Sequence, residues 1–371
     1  MSTSPDPIDV AFMRGAFALA RRGLGTVWPN PAVGCIIVKD GAVVGRGWTQ
    51  PGGRPHAETR ALEQAGAGAR GATAYVSLEP CSHWGETPPC AEALIEAGIG
   101  RVVGALEDPD PRVAGAGYAK LAAAGLAVTR DLLAAEAADL NAGFLLRVAA
   151  GRPLITVKVA SSLDGRIASH TGASQWITGE PARARGHLLR AQHDAVMVGG
   201  RTALIDDPEL TCRLPGLMTR SPVRVVADGH LRLSLTSRLV RSARRVPSWI
   251  LVLPSTDASR RQAFAECGVE MVDVPADSAG NLDPGEALAA LGRRGLTRVL
   301  VECGGRLSAA LLRAGLVDRI AWFRAPSVIG GDGIPAAAPF GIDAPDAAPR
   351  FVREDAIELG DDRLETYRIQ R

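Results

Sequence analysis

Long apolar runs are missing from this 371-residue chain; none approaches the roughly 18 residues a membrane-spanning helix needs, so no membrane role is expected. A secretory signal is missing too. The stretch Met1 to Asp9 is polar, holds Pro5 and Pro7, and lacks a basic start and an apolar core, which points to the cytoplasm. Cysteine is sparse: there are six, and only Cys81 and Cys90 lie close together. That excludes a disulfide framework and, in a reducing compartment, favours metal binding or catalysis. No stripe of one charge sign exists, since the net charge of +2 comes from interspersed acids and bases; nucleic acid is therefore not expected as a partner, and small-molecule substrates are favoured. Residues 154 to 371 contain neither a dinucleotide GxGxxG fingerprint nor a phosphate P-loop, and no internal repeat is visible.

The length is that of two domains, each with its own core. Residues 10 to 22 place Phe12, Ala16, Leu19 and Ala20 at helical spacing, and Val33 to Val38 reads as a buried strand. A strand near Val43 to Gly47, a helix from His56 to Ala65, a strand from Ala72 to Leu78, a helix from Pro88 to Ala97 and a strand from Arg101 to Leu106 follow. Strands alternating with helices imply right-handed crossovers and a sheet covered by helices. An Ala-rich helix over Leu132 to Ala149 should end at Gly151-Arg152-Pro153, which places the boundary between a domain of residues 1–150 and one of residues 151–371. The second half restarts with strand candidates at 154–160, 195–198, 223–227, 249–253 and 298–301, late strands at 320–323 and 363–369, and a loop around 330–348.

The strongest chemistry signal is His56-Ala57-Glu58 with Pro80-Cys81 and Pro88-Pro89-Cys90. One imidazole and two thiolates suit zinc, and three protein ligands leave a tetrahedral position open for a water whose pKa the metal lowers toward 7. His56 and Cys90 fall at predicted helix starts, where the dipole favours a thiolate. Glu58, on the same first turn as His56, can shuttle a proton from that water to a departing amine without being a ligand. The competing readings are a structural zinc site completed by His83, or simply buried cysteines.

The residues Pro29-Asn30-Pro31, Val33-Gly34, His56-Ala57-Glu58 and Pro80-Cys81-Ser82-His83-Trp84-Gly85 with Thr87-Pro88-Pro89-Cys90 resemble the pyrimidine deaminases of riboflavin biosynthesis. That resemblance implies a cytidine deaminase-like three-layer α/β/α domain and a substrate with a diaminopyrimidinone ring and a ribose phosphate, contacted by Asn30 and His83. Two positions depart from the family pattern. Thr49 stands where many members have histidine, and Glu86 where Lys or Arg is common; Arg54, from a neighbouring loop, is a candidate to compensate for Glu86.

In the second half, Gly199-Gly200 and Gly304-Gly305 each follow an apolar strand, where glycine allows close approach to a phosphate or simply makes a tight turn. The ordered set Lys158, Ser161 to Arg166, Ser174 to Gly179, Arg190, Asp194, Gly199 to Thr202, Asp206-Asp207-Pro208, Leu210, Arg213 and Glu302 resembles the reductase domain of bifunctional riboflavin enzymes. This implies a dihydrofolate reductase-like α/β fold that uses NADPH to reduce a ribose attached to the pyrimidine. It also implies that Ala160, Trp176, Thr202, Asp206, Gly304 and Gly305 contact NADPH. Ser174, Arg190, Leu210, Arg213 and Glu302 would face the substrate, with Lys158 near the reacting sugar. Arg190 and Arg213 could grip a phosphate bidentately, and a fixed lysine with carboxylates suits the proton transfer that opens a ribosylamine to an imine. Cys303 occupies a place where glycine is common. Histidines 170, 187, 193 and 230 lack close metal-ligand partners and read as structural.

Together these features imply a bifunctional, homo-oligomeric riboflavin-pathway enzyme with zinc and NADPH as cofactors and a phosphorylated pyrimidine as substrate. Alternatives are a zinc deaminase for cytidine, a tRNA adenosine or another base with a reductase-like domain of different or lost activity, or a binding module with a structural metal.

Overall fold

The structure, a computed structural model, describes residues 5–84, 88–110 and 114–370, in two compact units, Met1–Ala150 and Gly151–Arg371. The first unit contains α1 (Pro7–Ala20), β1 (Gly34–Lys39), β2 (Ala42–Trp48), α2 (Ala57–Ala65), β3 (Thr73–Val76), α3 (Cys90–Glu96), β4 (Arg101–Gly104), α4 (Ala116–Ala123), β5 (Ala127–Thr129), α5 (Ala134–Leu140) and α6 (Ala142–Ala150). Its sheet runs β2-β1-β3-β4-β5; β1 is antiparallel to both β2 and β3, and only β3, β4 and β5 are mutually parallel. The opening β1–β2 hairpin means that parallel crossovers, read from strand–helix alternation, apply to β3 through β5 alone.

Alternate residues of β1 serve two cores, which is why its sequence is continuously apolar. Ile36 and Val38 pack with Met13, Phe17 and Ala20 of α1 and Ala137 and Leu140 of α5. Cys35 and Ile37 pack with Ala57 and Ala61 of α2, Ala91 and Leu94 of α3, and Tyr118 and Leu121 of α4. This is the three-layer α/β/α sandwich. The helix expected over 132–149 is instead two helices broken at buried Asn141, whose side chain accepts from Ala32 N (2.9 Å) and donates to Ala32 O (3.2 Å).

The second unit contains β6 (Leu154–Ser161), β7 (Arg166–Ala168), α7 (Glu180–Ala191), β8 (Ala195–Gly199), α8 (Gly200–Asp206), β9 (Val223–Ala227), α9 (Arg238–Arg241), β10 (Ser248–Val252), α10 (Ala258–Glu266), β11 (Glu270–Asp273) and α11 (Pro284–Arg293). It continues with β12 (Arg298–Val301), α12 (Gly305–Arg313), β13 (Arg319–Arg324), β14 (Ile334–Pro335), β15 (Phe351–Leu359) and β16 (Asp362–Ile369). The nine-stranded sheet runs β11-β10-β9-β8-β12-β6-β13-β16-β15, parallel from β11 to β13 and closed by the antiparallel β15–β16 hairpin. The strands expected at 320–323 and 363–369 are β13 and β16; β15, which pairs with β16 and is half exposed and charged, was not anticipated. The order reverses where β12 inserts between β8 and β6, and in an open parallel sheet such a switch point makes a crevice at the carboxyl ends of the strands.

Candidate active sites

In the first unit, α2 lies so close to β2 that a Cβ on Gly47 would stand 2.0 Å from Ala57 O, and one on Gly45 2.2 Å from Ala61 O. Glycine at both positions lets the helix start against the strand. His56 is the N-cap of α2, Cys90 the first residue of α3, and Cys81 follows β3 on the intervening loop. Their ligand atoms converge within 4.8 Å of one another, with His56 Nδ1 3.3 Å from Cys90 Sγ and 3.7 Å from Cys81 Sγ. Tetrahedral zinc with bonds of about 2.0 Å to nitrogen and 2.3 Å to sulfur separates its ligands by roughly 3.5 to 3.8 Å, so the trio fits the ion.

The thiol of Cys90 and the His56 ring hold Cys81 down to about 4, against the penalty of burial, and Cys90 N donates to Cys81 Sγ at 3.3 Å. The contact with Cys81, burial and the Glu58 carboxylate raise the pKa of Cys90. Metal binding at such a trio requires both thiols as thiolates and so releases protons. Glu58 is 3% exposed, and burial raises its carboxyl to about 7, with His56 pulling the other way. A carboxyl at that value both takes and gives a proton near neutrality. His83 is exposed, and among the described residues no fourth ligand joins the trio.

The surrounding loops are tied by side chains the sequence reading passed over or misjudged. Thr49, 2% exposed, accepts from Val33 N (3.0 Å) and donates to Pro31 O (3.2 Å), so its hydroxyl braces the 29–33 loop. Its departure from the family pattern thus has a structural use. Asn30 Nδ2 donates to Gly53 O (3.0 Å), joining that loop to the segment leading into His56. Glu79, buried next to Pro80-Cys81, accepts from the backbone N–H groups of Asp108, Gly115 and Gly117. Burial raises the Asp108 carboxyl to about 6. Glu86, with Gly85 and Thr87, lies outside the described residues, so the pairing of Arg54 with Glu86 has no structural account.

In the second unit, Gly199 and Gly304 are N-caps of α8 and α12, at the carboxyl ends of the adjacent strands β8 and β12. A Cβ on Gly305 would stand 2.7 Å from Pro335 O, whereas one on Gly304 would meet only Thr202 Oγ1, at 3.8 Å. Gly305 is thus required by packing, while Gly304 leaves an open cradle beside the α12 amides where a phosphate fits. Ala160 lies near the end of β6, Thr202 on the first turn of α8 and Asp206 at its end. Trp176 is 67% exposed, with the Arg183 guanidinium 4.7 Å from its ring centroid, and Ser174 is exposed beside it.

Glu302, just past β12, takes both Arg190 Nε (2.6 Å) and Arg190 Nη2 (2.9 Å) on its carboxylate, while Arg190 Nη1 donates to Thr211 O (2.9 Å). The bidentate phosphate grip expected of Arg190 is replaced by this grip on Glu302. Residues 112 apart in sequence gave no sign of it. Burial would raise Glu302, but Arg190, aided by Lys158, holds it at about 2. Burial lowers the Lys158 ammonium, with Glu302 opposing. Leu210 is buried in an αL conformation (φ 53°), and Arg213 stands 3.7 Å from Glu209. His187, read as structural, accepts from Arg213 N (3.4 Å) within the electrostatic reach of Arg190, Arg213 and Glu302. Its place one turn before Arg190 on α7 was the available signal. His193 bonds Leu189 O and Thr156 Oγ1 and is structural.

Residues 153–358 match the family profile of the RibD C-terminal domain, and residues 7–106 that of the cytidine and deoxycytidylate deaminase zinc-binding region. The chain is 41% identical to riboflavin biosynthesis protein RibD of Escherichia coli, over 95% of this chain and 97% of that relative. An Acinetobacter baumannii RibD structure superposes with TM-score 0.88 at 38% identity, covering 98% of this chain and 99% of that one. A Thermotoga maritima diaminohydroxyphosphoribosylaminopyrimidine deaminase/5-amino-6-(5-phosphoribosylamino)uracil reductase does so with TM-score 0.84 at 33% identity, covering 98% and 99%.

Proposed function

The chain belongs to the RibD family of riboflavin biosynthesis proteins, and from that premise we propose how its residues divide two successive reactions on one phosphorylated pyrimidine. Residues 1–150 carry a zinc-dependent hydrolytic deaminase acting on a diaminopyrimidinone that bears a ribosylamino phosphate. Residues 151–371 carry an NADPH-dependent reductase that converts the ribosyl group of the deaminated product to ribityl. The observation that carries the reading is the convergence of His56, Cys81 and Cys90 beside buried Glu58.

Zinc held by those three ligands would supply a Lewis acid that brings a water toward a pKa of about 7. Glu58 accepts the proton of the attacking water at its carboxylate and delivers it to the departing amine, which leaves as ammonia. Asn30 and His83 orient the pyrimidine. In the second unit Gly304 and the start of α12, with Ala160, Trp176, Thr202 and Asp206, would hold NADPH, which would supply the hydride. Lys158 gives a proton to the ribose ring oxygen as the ring opens to the imine. Glu302 and Arg190 act as one fixed unit with Leu210, Arg213 and Ser174 around the sugar phosphate. The enzyme works as a homo-oligomer in the cytoplasm; six free cysteines, two of them metal ligands, suit a reducing compartment.

The test follows ammonia and NADPH together in zinc-loaded protein. Wild type should release ammonia and then oxidise NADPH. Glu58→Gln should lose ammonia release by about 10²- to 10⁴-fold at unchanged zinc content, with NADPH oxidation restored by added deaminated product. A Glu58→Gln protein that still released ammonia at the wild-type rate would sink the assignment.

A further inference from the structure

A cavity of about 460 Å³ in the second unit is lined by Arg224, Arg238, Arg241, Arg244 and Arg245, with Glu209 as its one carboxylate and Thr211 and Ser242 as hydroxyls. None of the residues assigned above to NADPH, substrate or proton transfer lines it. Its buried member Arg224 sits toward the amino ends of the strands, as the second residue of β9, paired with Val196 of β8 and Ser248 at the start of β10, whereas the cofactor crevice is at the carboxyl ends of β8 and β12.

Arg224 is fully buried, yet among the described residues no carboxylate forms an ion pair with it. Its Nη1 and Nη2 donate to Ser242 Oγ, Ser248 Oγ and the carbonyls of Glu209, Leu239 and Val246, and its Nε has no partner. A buried cation compensated only by neutral dipoles is costly, and burial with Arg245 nearby pulls its pKa down to about 10. The rim adds charge of the same sign. Arg241 and Arg245 have no ion pair among the described residues, Arg244 is spent on Glu266 O, and Arg238 reaches Asp207 and Glu209 only at 3.8 and 3.9 Å. Five guanidinium groups facing one carboxylate across a concave surface form a field that a compact polyanion neutralises, and guanidinium forks match phosphate oxygens bidentately.

We propose that this cavity is a second anion site of the reductase unit, taking a small molecule that carries a diphosphate group. The concavity and volume favour a small molecule over a nucleic-acid strand, which needs an extended basic track. Occupancy would bear on the substrate side, because Glu209 and Thr211 flank Leu210 and Thr211 O receives Arg190.

The full-length, zinc-loaded protein is titrated calorimetrically with inorganic pyrophosphate in the absence of NADPH, whose own diphosphate would compete for the cavity. A saturable site that depends on Arg241 and Arg245 is expected. Arg241→Ala/Arg245→Ala, at exposed positions that should not disturb folding, should weaken it by about tenfold or more per arginine. Arg293→Ala/Arg350→Ala, which removes equal charge away from the cavity, should leave it within about twofold. ADP should compete and orthophosphate should bind far more weakly. No saturable binding to wild type, equal affinity in the Arg241/Arg245 variant, an equal loss in the control variant, or equal affinity for orthophosphate would each overturn the proposal. So would capture of a single-stranded oligonucleotide without binding of pyrophosphate. Because the contrast lies between two pairs of arginines, it holds even if NADPH binds elsewhere than assigned.

Discussion

The deaminase and reductase units solve the same problem, holding a charged group ready beside a substrate, in opposite ways. The first concentrates its machinery in residues 56 to 90, on two helix starts and one loop, and leaves the metal to bind the parts together. The second, on the proposed assignment, draws Lys158, Arg190, Leu210, Arg213 and Glu302 from four separate segments and locks Arg190 to Glu302 as a direct charge pair. A metal site demands particular donors at particular short spacings, so it leaves a local mark. A charge-pair site demands only that the sheet bring complementary groups together.

That contrast is broken most severely by Glu302→Gln. It strands the Arg190 guanidinium, both side chains being only 14% exposed, and should cost about 3 kcal/mol of stability with at least a hundredfold loss in reductase kcat/KM. Ammonia release should be untouched. The same pair sets an acid limit. The folded-state pKa of Glu302 is about 2 against an ordinary 4.5, so its stabilisation is present above about pH 4.5 and is lost as the pH falls toward 2. The urea midpoint of wild type should fall more steeply over that range than that of Glu302→Gln; parallel curves would remove the charge-pair account.

A smaller effect is expected from Asn141→Ala, which leaves the buried N–H and C=O of Ala32 unpaired at a cost of about 2 kcal/mol. It should raise the deaminase KM severalfold while the reductase KM stays put. The smallest is Cys303→Gly. Its thiol, pushed up to about 11 by burial, touches only Ser308 Oγ at 3.2 Å, so unfolding and NADPH affinity should move by less than about 1 kcal/mol and twofold.

Much of the first site was legible because His56, Glu58, Cys81 and Cys90 advertise themselves by type, spacing and helix-start position. Thr49, Asn141 and Glu79 did not, since an ordinary polar residue acquires its role only from the backbone it meets. Thr49 read only as a departure from the family's histidine and is a brace for Pro31 and Val33. Asn141 sat unnoticed inside an apparently continuous helix. In the second unit, Gly199 and Gly304 were recognisable as strand-to-helix turns, but nothing local distinguished Gly305, held by packing against Pro335, from Gly304, which opens onto Thr202. Arg224 read as one more strand residue; its burial between the Leu239 carbonyl of α9 and the Ser248 hydroxyl of β10 emerged only in the fold.

Periodicity and composition by themselves indicated most strands and helices of the first half, many strands of the second, the break near Gly151, the metal trio and Glu58 beside it, because each is written in spacings of a few residues, where local sterics and ligand chemistry decide. The antiparallel pairing of β1, the insertion of β12 between β8 and β6, the Arg190–Glu302 lock and the arginine-lined cavity were decided only by tertiary structure. They depend on pairing and register between segments far apart in the chain, and the free energy that selects them comes from burial shared across the whole sheet.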